Sequence, residues 1–318
     1  MSHLATRQRG AALLVAMIIV SLVATLAAAM VWRQYRAVQI EAAERARAQA
    51  GWILQGALDW ARLILREDAR ASANLDHLGE VWAVPLAEAR LSTFLAAEQA
   101  RGGDSGGADD GPEAFLSGSM EDAQARYNLR LLLGGEQVPA QEQRVLERLC
   151  EIAGAPRDTA SRIISGLRSA FDTQAAREGQ PLPPQDIEQL AWFGLDADTI
   201  ARLRPLLILL PTATPVNLNT APREVIAALF EGMDLASAER LVQARQQAPL
   251  TQPQAAKSFL PEDAVISSER VSVQSSHFIV SGRLRLDGRV LEDRSLVRRR
   301  GLEITVLERQ HINRMLEP

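Results

Sequence analysis

The sequence predicts an α+β fold: one long N-terminal helix packed on an antiparallel sheet, with a large all-α domain inserted between them. Three observations carry this. A charge-free run, Ala11 to Val31, passes without a break into an amphipathic stretch. The middle of the chain repeats short helical patterns broken by Gly and Pro. From Arg270 onward the apolar period switches from helical to alternating. At 318 residues the chain is long enough to hold two folded units.

Arg7, Gln8, Arg9 and Gly10 precede AALLVAMIIVSLVATLAAAMV, in which no charge occurs. At ~1.5 Å per residue this run spans about 30 Å, the thickness of a bilayer's hydrocarbon core. Three starts compete. A cleaved signal peptide, with Ala27 and Ala29 at its cut site, has an apolar centre of roughly 7 to 15 residues, shorter than this run. A plain signal anchor keeps the whole N-terminus. A class III prepilin leader ends in a Gly directly before the helix, where Gly10 stands. Beyond the run, Trp32, Tyr35, Gln39, Ala42, Ala46, Gln49, Ile53, Ala57, Trp60 and Ile64 recur at three-four spacing, a stripe with two polar exceptions. Span and stripe together predict one helix, apolar all round and then amphipathic, as required where lipid gives way to a packed domain. That shape favours the prepilin start. Arg7 and Arg9 before the span balance Arg33 and Arg36 after it, so charge leaves the orientation open. A cytoplasmic tail and an exported bulk follow from the leader.

Helical fragments continue from Arg66 to Ala100, interrupted at Gly79 and Pro85, with Trp82 as a core or interface anchor. RGGDSGGADDGP, 101–112, reads as a solvated loop, and Asp104, Asp109 and Asp110 offer hard oxygen ligands without EF-hand spacing. In Phe115 to Leu132, Gly118, Glu121 and Asp122 are expected in a turn and Tyr127 to Leu132 in extended chain. Glu121 and Asp122 form a second candidate calcium pair. From Ala140 to Pro261 four segments each predict a helix of three or four turns, with Asp158, Asp186, Asp196 and Asp198 capping or opening them. Cys150, the single cysteine, sits at an apolar helical position and reads as a buried thiol.

Val216 to Arg245 has the pattern of a helix-hairpin-helix. In DNA-binding versions the hairpin amides hold a phosphate, but Glu231 and Asp234 in this turn repel one. Arg223, Arg240 and Arg245 are interleaved with Glu224 and Glu239, so no basic stripe forms. The net charge of −4 adds no general attraction to nucleic acid or anionic lipid. Beyond it, Phe278, Val280, Gly282, Leu284 and Leu286 alternate with Ile279, Ser281, Arg283 and Arg285. Asp287 and Gly288 offer a hairpin turn, Val290 to Arg298 returns, and Leu302, Ile304 and Val306 continue. A meander of three or four strands with one wet face is expected, His277 on that face, the other covered by the Trp32 to Ile64 stripe. His77, His277 and His311 are scattered, none expected beside a Ser or Cys nucleophile or in a metal cluster, which argues against catalysis. The expected boundaries are 1–10 leader, 11–31 membrane half of the helix, 32–132 first part of the body, 133–265 inserted helical domain and 266–318 completing sheet.

The series RQRG followed by AALLVAMIIVSLVATLAAAM, GEVWAVPL, SGSMEDAQARYNL, LILLPTATPVNLNTAPREVI and VQSSHFIV, in this order, resembles the K-type minor pseudopilins of the bacterial type II secretion system over nearly the whole chain. The resemblance implies cleavage by the prepilin peptidase between Gly10 and Ala11 and N-methylation of Ala11. Val15 then takes the fifth mature position, where most pilins carry Glu and K-type members are similar in lacking it. A membrane carboxylate is expensive unless paired, and a subunit without one cannot offer that pair to a neighbour's amine, which fits a place at the filament's end. The resemblance further implies an inner-membrane anchor and a tip complex with the minor pseudopilins I and J. It implies a role in initiating assembly and supporting export of folded periplasmic proteins. It implies no enzymatic activity, nucleic acid or small-molecule substrate. It implies bound calcium, for which Glu121 and Asp122 are the chosen ligands. The alternative is a membrane-anchored periplasmic DNA receptor using Val216 to Arg245.

Overall fold

Helix α1 runs unbroken from Arg9 to Ala71. It belongs to a computed structural model that describes residues 9–71, 75–92, 114–135, 137–172, 182–286 and 289–315. Residues 1–8 of the expected leader, the acidic loop with Asp104, Asp109 and Asp110, and the turn at Asp287 and Gly288 lie outside the described residues. The chain divides into two compact units, 1–55 and 56–318.

In the first unit, α1 is exposed from Ala11 through Ala42. This stretch meets the length and composition of a membrane-crossing helix. Its one threonine is satisfied internally: Thr25 Oγ1 donates to the Leu22 carbonyl at 2.9 Å, so that hydroxyl does not face lipid unpaired.

In the second unit, the last turns of α1 bury Leu58, Ala61 and Leu65, which share a core with Trp82, Phe278, Val280, Val297 and Ile304. The buried stripe lies one residue beyond the expected Ala57, Trp60 and Ile64, and Trp60 remains 38% exposed. Both sets have three-four spacing. The set with two leucines faces the sheet because it removes more aliphatic surface from water. Trp82 is fully buried and meets Phe278 edge to face, with centroids 5.2 Å apart at 72°.

The sheet has five strands: β1 (Leu86–Arg90), β2 (Ala114–Asp122), β7 (His277–Leu286), β8 (Arg289–Arg300) and β9 (Glu303–Met315), in spatial order β1-β2-β7-β8-β9. All neighbours are antiparallel. The β7-β8-β9 meander matches expectation. β1 and β2 extend it because β2 pairs with β7 along its whole length, Ala114 with Leu286 through Asp122 with Phe278. Glu121 and Asp122 are therefore the end of a strand and not a turn. After them only Tyr127–Asn128 is extended (β3), and Leu129–Leu133 coils into a 3-10 turn.

The sheet is also drier than expected. His277 through Val280 are all buried, because Ile279 on the second face packs on Ala123, Ile208 and Leu210. His277 is accordingly 3% exposed, and burial together with the charges of Arg298 and Arg300 lowers its pKa to about 4.

Between β3 and β7 the chain is mainly helical: α2 (Ala140–Ile152), α3 (Thr159–Phe171), α4 (Ala197–Leu203), α5 (Arg223–Leu229) and α6 (Leu235–Gln247). Short strands β4 (Leu207–Ile208), β5 (Val216–Asn217) and β6 (Val271–Ser272) tie it down, β4 parallel to β3 and β5 parallel to β6. Two of the four expected helices shrink, Ile187–Phe193 to a 3-10 segment and α4 to seven residues before β4. Asp186 and Asp196 cap as expected, accepting from Ile187 N at 2.6 Å and Thr199 N at 2.8 Å. Asp158 makes no side-chain cap bond, and Asp198 pairs with Arg202 at 3.2 Å. Cys150 is buried within this core, its thiol pushed up to about 12 by burial, which leaves it an inert hydrophobe.

Candidate functional site

Gly10 and Ala11 both lie in the first turn of α1, and Val15 is one of its exposed apolar residues, at 54%. No carboxylate occurs among Ala11–Val31. This face is chemically uniform and offers only packing to a lipid or a neighbouring helix, with Ala24, Ala27, Ala28 and Ala29 permitting close approach.

A second constellation forms where β2 ends. Asp122 accepts four hydrogen bonds. Gln124 N reaches Oδ1 at 2.7 Å, while Ser275 Oγ, Thr220 Oγ1 and Asn217 Nδ2 reach Oδ2 at 2.5, 2.6 and 3.1 Å. Asn217 also donates to the Asp76 carbonyl at 3.1 Å, and Ser275 N donates to Asp76 Oδ2 at 2.7 Å. Arg299 closes the network by donating to Asp68 Oδ2 at 2.8 Å, to Asp76 Oδ1, and to the Ser275 carbonyl at 3.0 Å. One knot of buried groups thus joins the end of α1, the loop after it, β2, the helical segment and β8. Burial pushes the Asp122 carboxyl up to about 6, against the pull of its donors on Ser275, Thr220 and Gln124. Burial likewise raises Asp76 and Asp68.

Glu121 and Asp122 do not share a site. Neighbours on a strand point to opposite faces, so Glu121 turns out to pair with Arg126 while Asp122 turns into the knot. Both Asp122 oxygens are already held by protein donors, and this pair does not fit a calcium ion, which takes six to eight oxygens. Among the described residues the carboxylates that do converge are Asp68, Asp76 and Glu80, with one oxygen of each within 4.8 Å of the others. The Arg299 guanidinium sits between the first two. Glu80 Oε2 accepts from Trp82 Nε1 at 2.7 Å and His77 N at 3.0 Å. A built-in cation already occupies the space between two of its three carboxylates. Sequence spacing concealed it because Asp68 and Asp76 lie on either side of the helix end and Arg299 arrives from β8.

His277 does stand beside a serine: its Nδ1 is 2.9 Å from Ser276 Oγ, which the scattered histidines gave no hint of. Ser276 Oγ also lies 2.9 Å from Gln124 Oε1, which takes its single proton, so the hydroxyl is tied to the β2 end and not poised on the imidazole.

The helix-hairpin-helix expected at Val216 to Arg245 is present as α5, a turn through Gly232 at φ +76°, and α6. Its charges are spent internally. Arg223 contacts Glu224 and Glu239, Asp234 caps Ser237 N at 2.7 Å, and Arg245 is buried and bonded to the Leu218 carbonyl. No guanidinium named here is left for a phosphate, so the hairpin reads as scaffold.

A family model described as type II secretion system (T2SS), protein K, matches residues 216–274, the stretch that holds this hairpin and the Asn217 and Thr220 arms of the knot. The chain is 29% identical to type II secretion system protein K of Klebsiella pneumoniae, covering 96% of this chain and 97% of that one. It is 28% identical to the protein of the same name from Pseudomonas aeruginosa, over 75% of this chain and 72% of the relative. Its fold matches a chain in the crystal structure of the GspK-GspI-GspJ complex from the enterotoxigenic Escherichia coli type 2 secretion system. That match has a TM-score of 0.61 and 19% identity, covering 85% of this chain and 98% of that one.

Proposed function

We infer that the chain belongs to the type II secretion system protein K family and serves as a minor pseudopilin. It is held in the inner membrane by Ala11–Val31 and joins the I and J minor pseudopilins at the pseudopilus tip to initiate assembly and support export of folded proteins. The observation that carries this reading is the likeness along 96% of the chain to relatives of that name. The apolar run of α1 and the sheet that packs on its last turns supply what such a subunit needs, a membrane anchor and a packed head. The N-terminus stays cytoplasmic, the prepilin peptidase cuts between Gly10 and Ala11, and Ala11 is methylated. Val15 removes the carboxylate a following subunit would pair with. The role is assembly and not catalysis, supported by an inert Cys150 and by a Ser276 tied to Gln124.

The test is the intact mass of the protein from cells with and without the peptidase, alongside secretion in a deletion strain. We expect loss of residues 1–10 plus one methyl only when the peptidase is present, and substrates stranded in the periplasm without this chain. An intact N-terminus in both cells, or normal secretion in the deletion strain, would reject the role.

Calcium binding rests on the family resemblance alone. Should calcium raise the melting temperature of the full chain, Glu121→Gln is expected to leave that rise unchanged, because Glu121 is turned away from the other carboxylates. Loss of the rise in this variant would make Glu121 a ligand of the ion.

A further inference from the structure

The face of β8 opposite Arg299 carries Arg294, Arg298 and Arg300, with Leu296 between the first two packed under the Ile208 and Leu210 segment, so that Arg298 and Arg300 lie beyond the covered part. None of these guanidiniums makes an ion pair or side-chain hydrogen bond among the described residues, whereas Arg299 on the opposite face is bound twice over. Arg298 is half-buried, and its Nε is the one buried side-chain nitrogen or oxygen left without a partner among the described residues. The described residues therefore supply no acceptor for this nitrogen, and the half-buried guanidinium keeps its remaining donors for an outside acceptor. Arg298 and Arg300 also act together electrostatically, since both lower the buried His277. In a chain with 39 acidic against 35 basic residues, three unpaired guanidiniums on one strand face do not follow from excess positive charge. Glu303 faces Arg300 and Thr305 faces Arg298 across the β8-β9 pairing, yet neither makes a bond with it. Glu308 accepts from Gln310 at 2.8 Å instead.

We propose that Arg298 and Arg300 form a carboxylate-binding pair that docks an acidic, extended segment of a protein partner. Residues two apart on a strand lie about 7 Å apart on one face, so carboxylates at alternate positions of an extended chain match the two guanidiniums in spacing. A planar guanidinium is also suited to carboxylate recognition. Anionic lipid is the less fitting source. The chain's net charge of −4 adds no general attraction to an anionic surface. The proposal is independent of the family reading.

The test uses the full chain in zwitterionic nanodiscs and a labelled six-residue peptide alternating Glu and Thr. We expect salt-sensitive binding that weakens about tenfold in Arg298→Gln/Arg300→Gln and survives in Arg298→Lys/Arg300→Lys. The His277 imidazole should titrate at higher pH once the peptide is bound, because the bound carboxylates offset the two arginines. That readout needs only the wild-type chain and stands if a variant fails to fold. Equal affinity in wild type and the Gln variant, no His277 shift, or an effect of the Gln variant confined to anionic vesicles would overturn the proposal.

Discussion

Replacing Arg270 with methionine is expected to destabilise the full chain by about 3–5 kcal/mol, the cost of leaving a buried charge uncompensated. Arg270 Nε donates to Glu142 Oε1 at 2.6 Å, and both residues are buried. Glu142 Oε2 accepts from Tyr127 Oη at 2.8 Å, and Arg270 Nη2 reaches the Leu229 carbonyl at 3.3 Å. Burial and the neighbouring carboxylate push the Tyr127 phenol well above its ordinary value, so it remains a donor at any ordinary pH. The pair staples α2 to the segment entering β6 through the middle of the helical core. Adding Glu142→Gln to Arg270→Met should recover most of the loss, since Gln still accepts from Tyr127 and carries no charge. Equilibrium unfolding of the two single variants and the double decides it. A single Arg270→Met that unfolds like wild type would show that the carboxylate has another partner.

The second large effect is pH-dependent. Asp122 is ionised in the unfolded chain above 3.8, but in the folded chain burial raises it to about 6. Between these values the folded state holds a proton the unfolded state has lost. Asp122 therefore adds stability below 3.8, loses it as pH rises through 6, and contributes its full desolvation cost above. Asp122→Asn removes this titration. Measured at pH 7 and again at pH 4, the stability of wild type relative to the variant should rise by roughly 2–3 kcal/mol toward acid. His277, lowered to about 4, works in the opposite sense and is common to both proteins, so the difference between them isolates Asp122. Parallel stability curves across that window would mean that the carboxylate is solvated.

Legibility in the sequence followed the range of the interaction. The apolar run, the period change near Arg270, the buried Cys150 and the hairpin after Val216 were readable because each is set by residues within a few turns or one strand of each other. The Asp186 and Asp196 caps were readable for the same reason. Chain-distant pairings were not. The buried stripe on α1 lies one residue beyond the pattern the sequence favours, since two three-four patterns coexist there and only contact with the sheet selects Leu58, Ala61 and Leu65. Alternation marks the His277 face of the strand as wet, while Ile208 and Leu210 arrive from far along the chain to dry it.

By itself, then, the sequence determined a membrane-length helix continuing into a soluble one, a helical middle, a closing meander and the family it resembles. Tertiary structure alone decided that β2 joins β7, that Asp122 leaves Glu121 for a knot with Asn217, Thr220 and Ser275, and that Arg299 is held by two carboxylates while Arg298 and Arg300 make no ion pair among the described residues. The physical reason is that local sequence sets which face a side chain can occupy, whereas a buried charge is fixed by partners brought close only when the chain folds.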